Sequence, residues 1–456
     1  MTNSFHFIAI GGVGQSALAK ILLQLGFEVS GSDIEESKYT KLVEKLGAKI
    51  SIGHDEKNIQ QGQTVVISSA IKEDNPELKR ARELNLKVMH RSDCLDFISR
   101  KFPCFVGFAG THGKTTTSGL MSFILEKMQK EPAYAIGGII PKINENANAS
   151  KTSKYFIAEL DESDGTIEKY APNCFVVNNL EADHLDFYKN GLEDIIETFK
   201  KTINNMQKTD KLFINFDDDG AKRLLKESNF ENYISFAINS NADYQAKNIV
   251  QKDLETEFDV YKNDKFLTKI NLIIPGIHNV YNTLSVISVL DSLGFKQEEY
   301  SQYFSEFSGM GRRFQLYGEI NDIKIIDDYA HHPTEVNATI QAISGSKRRK
   351  LAIFQPHRYT RLEGLWQEFI ESFKPVDKLY VLDVFNAGKE ADIGYNSNTF
   401  AAACSKNGID AKYIKGDMKK AAEQILPDIQ KNDLVITLGA GDNTKICGEI
   451  YDLLSK

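Results

Sequence analysis

The stretch FAGTHGKTTTS, residues 108–118, decides the fold prediction for this chain. It follows an apolar run at 104–109 and precedes a segment in which apolar side chains recur at helical spacing. A strand, a glycine loop and a helix in this order are typical of a phosphate-binding loop. The usual pattern, G-x-x-x-x-G-K-[ST], would place glycine at position 108, where this chain has Phe108. The question is therefore whether a shortened loop still binds a nucleotide.

The residues needed for nucleotide binding are all present in the shortened loop. Gly110 and Gly113 allow a bend whose N–H groups point inward, Lys114 can reach the terminal phosphates, and the Thr115 hydroxyl can bind Mg²⁺. A coincidental Gly-Lys-Thr turn is the alternative. We predict an ATP site formed by Gly110, Thr111, His112, Gly113, Lys114, Thr115 and Thr116.

Acidic side chains follow two neighbouring apolar runs, YFIAEL (155–160) and CFVVNNL (174–180). The acidic residues and one imidazole there are Glu159, Asp161, Glu162, Asp164, Glu181, Asp183 and His184. Because the carboxyl ends of parallel strands converge on one crevice, these groups are expected near the ATP phosphates. Such groups suit hard divalent cations, and we predict Mg²⁺, with two ions. A solvated loop is the alternative for any single carboxylate.

A second glycine loop lies near the N-terminus, in IAIGGVGQSALA (8–19). Gly12-x-Gly14-x-x-Ala17 directly follows a predicted strand and opens a predicted helix, and Asp33 follows 19 residues after Gly14. The pattern predicts a nucleotide diphosphate site at the helix N-terminus. It does not distinguish NAD, FAD and a UDP-sugar, so a dehydrogenase remains an alternative, as does a tight turn that binds nothing.

The length and the order of the apolar runs predict three domains. The chain has 456 residues, and about 150 residues is a common domain size. Strand-like and helix-like segments alternate throughout, which predicts parallel sheets covered by helices, an α/β fold. We place boundaries after 101 and 308, giving domains at 1–101, 102–308 and 309–456, and we predict an antiparallel addition near 230–275 that begins with ISFAI.

Composition excludes several classes of protein. The net charge of -8 argues against a general nucleic-acid binder. The five cysteines are widely spread without a C-x-x-C pair, which is typical of reduced thiols, so we predict a cytoplasmic protein. No run is apolar and long enough for a membrane span, and the N-terminus does not have the pattern of a secretion signal.

Taken together, the motifs resemble those of the Mur ligase family of peptidoglycan synthesis, in order and along nearly the whole chain. They are GTHGKTTT, ELDESDG, NNLEADHLD, GIHNVYN, GMGRRFQ, DDYAHHPTEV, FQPHRYTR, DVFNAGKE and LGAGD. The shortened glycine loop is usual in that family. The resemblance implies a Rossmann-like first domain, a central P-loop ATPase-like domain and a Rossmann-like third domain.

The resemblance also implies an activity, the ATP-dependent joining of L-alanine to the lactyl carboxylate of UDP-N-acetylmuramate through an acyl phosphate. The segments GGVGQSALA, YAHHPTE and QPHRYTR are most similar to the branch that adds this single amino acid. A related ligase that adds a recycled tripeptide to the same UDP-sugar is the first alternative. The NAD-dependent dehydrogenase is the second, although it would leave Lys114, Glu159 and His184 without a role.

Roles near ATP follow from the same resemblance. Thr115 and Glu159 would hold the Mg²⁺ of ATP, with Glu162 as an alternative to Glu159 because the acidic cluster allows a shifted alignment. His184 would help to hold a second Mg²⁺ near the acyl phosphate. The predicted contacts to ATP outside the loop are His278, Asn279 and Asn282 at the adenine or its ribose, Arg312 or Arg313 at the γ-phosphate, and Asp328 at the ribose.

Roles near the other two substrates are assigned in the same way. His331 and His332 would lie beside the transferring group, and Arg358 and Arg361 would bind the carboxylate of alanine, with His332 nearby. The glycine loop would bind UDP, so that the predicted UDP-sugar residues are Gly12, Gly14, Gln15, Ser16, Asp33, Ser68, Ser69, His90 and Arg91. The residues predicted to act in catalysis are Lys114, His184, Arg312, His331 and His332.

Overall fold

The computed structural model describes residues 3–185, 187–386 and 394–455. In this part of the chain the strands form three sheets, as the α/β prediction required. By their contacts the described residues fall into two compact units. The first holds the chain up to Lys247 with Val260–Thr268 and Tyr281–Phe304, and the second holds Asn248–Asp259, Lys269–Val280 and Ser305–Lys456. The predicted boundaries at 101 and 308 remain predictions.

The first sheet is parallel, with the strand order β3-β2-β1-β4-β5. Its helix α1 ends at Gly26, whose φ of 91° makes a left-handed stop. The elements are β1 (Ser4–Ile8), α1 (Val13–Leu25), β2 (Glu28–Asp33), α2 (Lys38–Lys45), β3 (Lys49–Ile52), β4 (Thr64–Ile67), α3 (Pro76–Glu83), β5 (Lys87–His90) and α4 (Arg91–Ser99).

The second sheet has the strand order β15-β14-β13-β12-β11-β10-β6-β9-β7-β8. Its elements are β6 (Cys104–Ala109), α5 (Lys114–Lys127), β7 (Ala133–Ile140), β8 (Glu145–Asn148), β9 (Tyr155–Glu159), β10 (Cys174–Val177), α6 (Leu192–Asn205), β11 (Lys211–Asn215), α7 (Asp219–Ser228), β12 (Tyr233–Ala237), β13 (Tyr244–Lys252), β14 (Glu255–Lys262), β15 (Lys265–Leu272), α8 (Ile277–Ser292) and α9 (Gln297–Tyr300). Strand β6 pairs in parallel with both β9 and β10, so the two acidic strand ends flank the predicted ATP loop.

The third sheet has the strand order β16-β17-β21-β18-β19-β20, in which β16 is antiparallel and the other pairs are parallel. Its elements are β16 (Gln315–Ile320), β17 (Ile323–Asp328), α10 (Pro333–Ser344), β18 (Arg349–Phe354), α11 (Tyr359–Gly364), α12 (Trp366–Ser372), β19 (Lys378–Val381), α13 (Ser397–Lys406), β20 (Ala411–Tyr413), α14 (Met418–Ile425), β21 (Asp433–Leu438) and α15 (Thr444–Leu454). Every helix of the described chain is too short or too polar to cross a membrane.

The predicted antiparallel addition was wrong at its start. The segment ISFAI lies in β12, which pairs in parallel with β11 through a register that includes Phe213 opposite Ile234. Helix α7 supplies the crossover that parallel neighbours require. The later part, β13 to β15, is joined by two-residue turns, which only antiparallel hairpins allow.

Polar contacts join α1 of the first sheet to the β7–β8 ribbon of the second. Lys20, which is 4% exposed, pairs with Glu145. The Gln24 side chain donates to Asn148 Oδ1 at 2.8 Å and accepts from the Ala149 N–H at 2.9 Å. Because both glycine loops and these contact residues lie in the part of the chain up to Lys247, they belong to the first compact unit.

Candidate active site

The ATP loop between β6 and α5 requires glycine at two positions. Gly110 has a φ of 127°, and a Cβ there would lie 2.8 Å from the Asn179 carbonyl oxygen. Gly113 has a φ of 86°, and a Cβ there would lie 2.7 Å from Asn282 Oδ1. Phe108 is fully buried within β6. The strand therefore extends to where the longer loop would begin, which explains the missing glycine.

Lys114, the first residue of α5, folds over its own loop. Its Nζ donates to the carbonyl oxygens of Gly110 at 2.6 Å and Thr111 at 3.2 Å, and to Glu162 Oε1 at 2.9 Å. Burial lowers the pKa of Lys114, but the charge of Glu162 outweighs burial and raises it. A permanent cation thus lies at a helix N-terminus, where a phosphate would be bound.

Thr115 and Glu159 meet at the end of β9. The Thr115 hydroxyl donates to Glu159 Oε1 at 3.0 Å, and the Gly137 N–H donates to Glu159 Oε2 at 2.9 Å. A hydroxyl beside a carboxylate is a hard oxygen pair of the kind that Mg²⁺ accepts when phosphates supply further ligands. In residues 3–185, 187–386 and 394–455, His, Cys, Asp and Glu form no cluster of three arranged to hold a metal by themselves. One hydroxyl and one carboxylate fit a Mg²⁺ whose remaining ligands come from the phosphates of a nucleotide.

Glu162 occupies a different position from Glu159. Its side chain is 1% exposed and lies against Lys114, and burial raises the pKa of this carboxyl although Lys114 opposes the shift. His184 Nε2 lies 3.9 Å from Glu162 Oε1 and 3.7 Å from Asp183 Oδ2, and the His184 backbone is left-handed with a φ of 50°. The structure thus separates Glu159, beside Thr115, from Glu162, which lies between Lys114 and His184.

Hydrogen bonds join the ATP loop to the segment after β10. The His112 N–H donates to Asn179 Oδ1 at 2.8 Å, and the Glu181 N–H donates to the Thr111 hydroxyl at 2.9 Å. Thr116 lies in the first turn of α5. These bonds fix the backbone of the loop, so little further ordering of the loop is required when an anion binds.

The GIHNVYN residues occupy the start of α8. The Asn279 side chain donates to the Pro275 carbonyl at 2.7 Å, and a Cβ at Gly276 would collide with the His278 ring. Asn282 Oδ1 lies 3.0 Å from the Thr117 hydroxyl. The structure therefore brings Asn282 to the ATP loop, whereas His278 and Asn279 belong to the second unit by their contacts.

The first glycine loop is held by Asp33, the last residue of β2. The Gly11 N–H donates to Asp33 Oδ2 at 2.8 Å. A Cβ at Gly14 would lie 3.3 Å from the Arg91 side chain, so glycine leaves room for that guanidinium. The buried side chains of Gln15 and Ser16 bond to carbonyl oxygens of the protein, at 3.4 and 3.1 Å. The Ser16 hydroxyl hydrogen and one N–H of the Gln15 amide are thereby used within the protein.

His90 ends β5 and Arg91 begins α4, at the same edge of the parallel first sheet as the first glycine loop. The Ser69 hydroxyl lies 3.2 Å from His90 Nε2, and Ser68 is half-buried just before it. Burial raises the pKa of Asp161, but the charge of Lys114, hydrogen bonds from Ser163 and the charge of Arg91 together outweigh it and lower the pKa. The negative charge of Asp161 is thus stabilised by cations from both glycine-loop regions.

Arg312 braces a loop within the second unit. Its guanidinium donates to the carbonyl oxygens of Gly439 at 2.8 Å and Gly441 at 3.0 Å, and to Asn443 Oδ1 at 3.0 Å. Arg313 Nη1 lies 3.4 Å from Glu335 Oε1. Both guanidinium groups stack over the Tyr329 ring, about 5 Å from its centroid.

Asp328, predicted at the ribose of ATP, ends β17 and is 5% exposed. Its two oxygens accept the N–H groups of Phe314 and Ala330, each at 2.7 Å. Burial raises the pKa of Asp328 to about 6, although Arg313 opposes the shift. The carboxylate is therefore engaged in shaping the turns around it.

The His-His-Pro turn caps helix α10. Glu335 Oε2 accepts the N–H of His331 at 3.1 Å and of His332 at 3.4 Å, while His332 Nδ1 accepts the Thr334 N–H. Burial lowers the pKa of His331, although Glu335 opposes the shift, so its ring is neutral near pH 7. Both histidines are consequently held in fixed orientations.

Arg358 and Arg361 lie on the segment that enters α11. Arg358 has a left-handed φ of 69°, and its N–H donates to the Phe385 carbonyl at 3.1 Å. Arg361 Nη1 lies 3.1 Å from His357 Nδ1, and the His357 ring packs 5.8 Å from that of His331. The second unit thus collects the predicted amino-acid residues around one histidine pair. Asp186 of NNLEADHLD and residues 387–390 of DVFNAGKE lie outside the described residues.

Sequence reasoning missed several residues that shape the site. Gly137, which orients Glu159, lies on β7 and outside all the motifs, and Asn178 and Asn179 belong to NNLEADHLD without a predicted role of their own. Asn179 carries a usable signal, because an amide directly after an apolar strand beside a glycine loop is placed to bind that loop.

Comparison with known proteins gives matches along nearly the whole chain. The model of the Mur ligase family, catalytic domain, matches residues 4–103, that of the Mur ligase middle domain matches 108–290, and that of the Mur ligase, glutamate ligase domain, matches 312–441. A UDP-N-acetylmuramate–L-alanine ligase of Acetivibrio thermocellus is 40% identical over 98% of this chain and 95% of its own length. That of Geotalea daltonii is 37% identical over 96% and 95%.

Solved structures give the same fold. The UDP-N-acetylmuramate–alanine ligase of Thermotoga maritima matches with a TM-score of 0.83 and 28% identity over 99% of both chains. A murein peptide ligase of Psychrobacter arcticus matches with a TM-score of 0.69 and 21% identity, also over 99% of both chains, and at that identity it supports the fold alone.

Proposed function

This chain belongs to the Mur ligase family, and we propose that it joins L-alanine to the lactyl carboxylate of UDP-N-acetylmuramate, with conversion of ATP to ADP and phosphate. The observation that carries this proposal is the arrangement around the ATP loop. Lys114 lies on the loop carbonyls, and Thr115 is bonded to Glu159 at the neighbouring strand end. The similarity to ligases of this name over nearly the full length supports the same substrates.

The first step demands that two anions meet. A carboxylate is a poor electrophile because its leaving group would be oxide, and transfer of the γ-phosphoryl group to it creates a good leaving group. Lys114 would bind the β- and γ-phosphates and offset their repulsion toward the incoming carboxylate. To do so, its ammonium must exchange the carbonyls of Gly110 and Thr111 for phosphate oxygens. In its present position the side chain is folded over the loop and reaches less far than an extended lysine would.

Magnesium fits the same site on the donor set described above. Thr115 and Glu159 would hold the ion that ATP carries, and Gly137 would keep the Glu159 carboxylate oriented. The bound ion would supply charge neutralisation for the transferring phosphoryl group. His184, beside Glu162, would serve a second ion, and the number of ions remains part of the proposal.

The second step is attack of the alanine amine on the acyl phosphate. Collapse of the tetrahedral intermediate forms the amide and releases phosphate. Arg358 and Arg361 would bind the alanine carboxylate, and the neutral ring of His331 is suited to accept a proton from the amine. Either Arg312 or Arg313 would meet the departing phosphate. Arg313 is the better candidate, because the Arg312 guanidinium is committed to the carbonyls of Gly439 and Gly441.

The first glycine loop would bind the UDP diphosphate through the backbone of Gly12 and Gly14 and the N-terminus of α1. Arg91 lies against Gly14 and would place a guanidinium beside that diphosphate. A cytoplasmic location, where ATP and UDP-sugars are made, is part of the same proposal.

The test is a product assay on the purified chain with UDP-N-acetylmuramate, ATP and Mg²⁺. We expect phosphate release and a product heavier by one alanyl group with L-alanine, and less with glycine or L-serine. An ¹⁸O label in the lactyl carboxylate should appear in the released phosphate if an acyl phosphate forms. Activity only with the recycled tripeptide would assign the chain to the peptide-adding branch, and binding of NAD without the UDP-sugar would favour a dehydrogenase.

A further inference from the structure

Asp217 follows β11 and lies outside every set of residues assigned above. Its Oδ2 accepts the N–H groups of Ile238 at 2.6 Å and Asn239 at 2.8 Å, and its Oδ1 accepts the N–H of Ser240 at 2.7 Å. Three successive N–H groups therefore surround one carboxylate. The loop after β12 is thereby fixed onto the end of β11, at the edge of the sheet where the ATP loop also lies.

A fourth donor reaches Asp217 from helix α8. The Tyr281 hydroxyl donates to Oδ2 at 2.7 Å. Burial raises the pKa of Asp217, but hydrogen bonds from Asn239, Ser240 and Tyr281 outweigh it and lower the pKa to about 2. Burial and the Asp217 charge raise the pKa of Tyr281. The bond therefore joins an ionised carboxylate to a protonated phenol, and such charge-assisted hydrogen bonds are stronger than those between neutral groups.

The residue after Tyr281 packs against the ATP loop. Asn282 is 4% exposed, its Oδ1 lies 3.0 Å from the Thr117 hydroxyl, and it would lie 2.7 Å from a Cβ at Gly113. The Asn178 side chain donates to the same Thr117 hydroxyl at 2.9 Å. The left-handed bend at Gly113 is thus packed from behind by Asn282.

Successive residues of an α-helix point about 100° apart, so fixing the direction of Tyr281 also fixes that of Asn282. We propose that Asp217 and Tyr281 are positioning residues for ATP, which set the rotation of α8 so that Asn282 supports the bend at Gly113. The inference rests on the proposed function only in taking ATP as the ligand of the loop. Neither residue touches the reacting atoms, so the pair acts on nucleotide affinity and leaves the chemical step alone.

The test is direct titration of a non-hydrolysable ATP analogue into the full chain and its variants. Tyr281→Phe removes one hydroxyl, and we expect the Kd to rise about five-fold; Asp217→Asn, which also weakens the loop bonds, should raise it about ten-fold. The double variant should bind about as weakly as Asp217→Asn alone, since both changes break the same bond. The Kd for UDP-N-acetylmuramate and kcat at saturating ATP should stay within about two-fold of the parent.

Asp243→Asn is the matched control. Asp243 also braces the backbone of this sheet, accepting the Ser235 N–H at 2.8 Å and its hydroxyl at 2.7 Å, but it makes these contacts on β12 and not on α8. It should leave the Kd for the analogue unchanged.

The inference is overturned if Tyr281→Phe binds the analogue as tightly as the parent, if the double variant shows additive losses, or if Asp243→Asn weakens binding equally. Because affinity is measured without turnover, a parent chain that binds the analogue yet makes no alanyl product would refute the proposed function and leave this inference standing.

Discussion

The two glycine loops of the first unit share a topology but differ in chemistry. Each connects a parallel strand to the N-terminus of a helix, at 9–12 after β1 and at 110–113 after β6. In the first loop, Asp33 holds the Gly11 N–H, and Gln15 and Ser16 turn into the protein. In the second, Lys114 lies on the loop carbonyls and Thr115 meets a carboxylate.

The difference teaches where charge is needed. The first loop offers backbone N–H groups and a helix dipole, with Arg91 against Gly14, and these would suit the proposed diphosphate, which does not react. The second loop adds a lysine and a hydroxyl from the helix itself, which suits a phosphoryl group that changes its charge distribution during transfer. If this comparison is correct, substitutions in the two loops should affect different substrates and different kinetic constants.

The largest effect is expected from Lys114→Met. The variant should lose about 10³-fold in kcat/KM for ATP, because the charge on the transferring phosphoryl group is no longer offset. Its affinity for UDP-N-acetylmuramate should be unchanged, as measured by calorimetric titration. Equal loss of both affinities would mean that the two loops do not work separately.

Lys114→Met should also destabilise the fold by about 3 kcal/mol, because it leaves the buried Glu162 without its cation. Adding Glu162→Gln removes that buried charge and should restore most of the free energy of unfolding while leaving activity lost. Denaturant unfolding of the single and double variants separates the two roles of the lysine.

A smaller effect is expected at the metal. Glu159→Gln should raise the Mg²⁺ concentration for half-maximal activity about 10- to 100-fold, because it weakens the oxygen pair formed with Thr115. Glu162→Gln should leave this concentration within about three-fold of the parent, since Glu162 lies against Lys114. The reverse ranking in a Mg²⁺ titration of phosphate release would assign the ion to Glu162.

In the first loop, Asp33→Asn should raise the KM for UDP-N-acetylmuramate about ten-fold, because the Gly11 N–H loses a charged acceptor. The KM for ATP should not change. Steady-state kinetics with each substrate varied in turn measures both constants, and a matching rise in the KM for ATP would count against separate loops.

The smallest effect concerns the glycines themselves. Gly113→Ala should cost about 1–2 kcal/mol of stability, because the left-handed backbone and Asn282 leave no place for a methyl group. Gly12→Ala should change stability by less than about 0.5 kcal/mol, since Gly12 has an ordinary φ of -66° and its Cβ would be 3.5 Å from the nearest atom. Thermal unfolding of the two variants makes the comparison.

Short buried strands were predictable because each is an apolar run that ends in a glycine or an acid. Strands β6 and β9 lie where the runs at 104–109 and 155–160 predicted them. The direction of β12 was not predictable in this way, because an apolar run does not encode which neighbour it pairs with. The clue was the segment 216–232, whose apolar spacing forms α7 and supplies the crossover.

The residue types of the site were visible in the sequence, but their pairing was not. Motif spacing cannot show that Lys114 bonds to Glu162 and Thr115 to Glu159, because both carboxylates lie at the end of the same strand. Nor can it show that Arg312 is bound to loop carbonyls 127 and 129 residues away. Such assignments depend on side-chain direction across elements, which periodicity does not record.

The contacts of α1 with the β7–β8 ribbon bear on how segments of this chain can be exchanged with those of a relative. A chimera that takes its first 101 residues from another ligase would place foreign side chains opposite Glu145 and Asn148. Replacing this segment removes Lys20 and Gln24, so Glu145 and Asn148 lose their partners unless the transplanted segment supplies residues of the same kind at those positions. The two sides of the contact between α1 and the β7–β8 ribbon must therefore match in any chimera, and the N-terminal sheet cannot be exchanged freely between relatives.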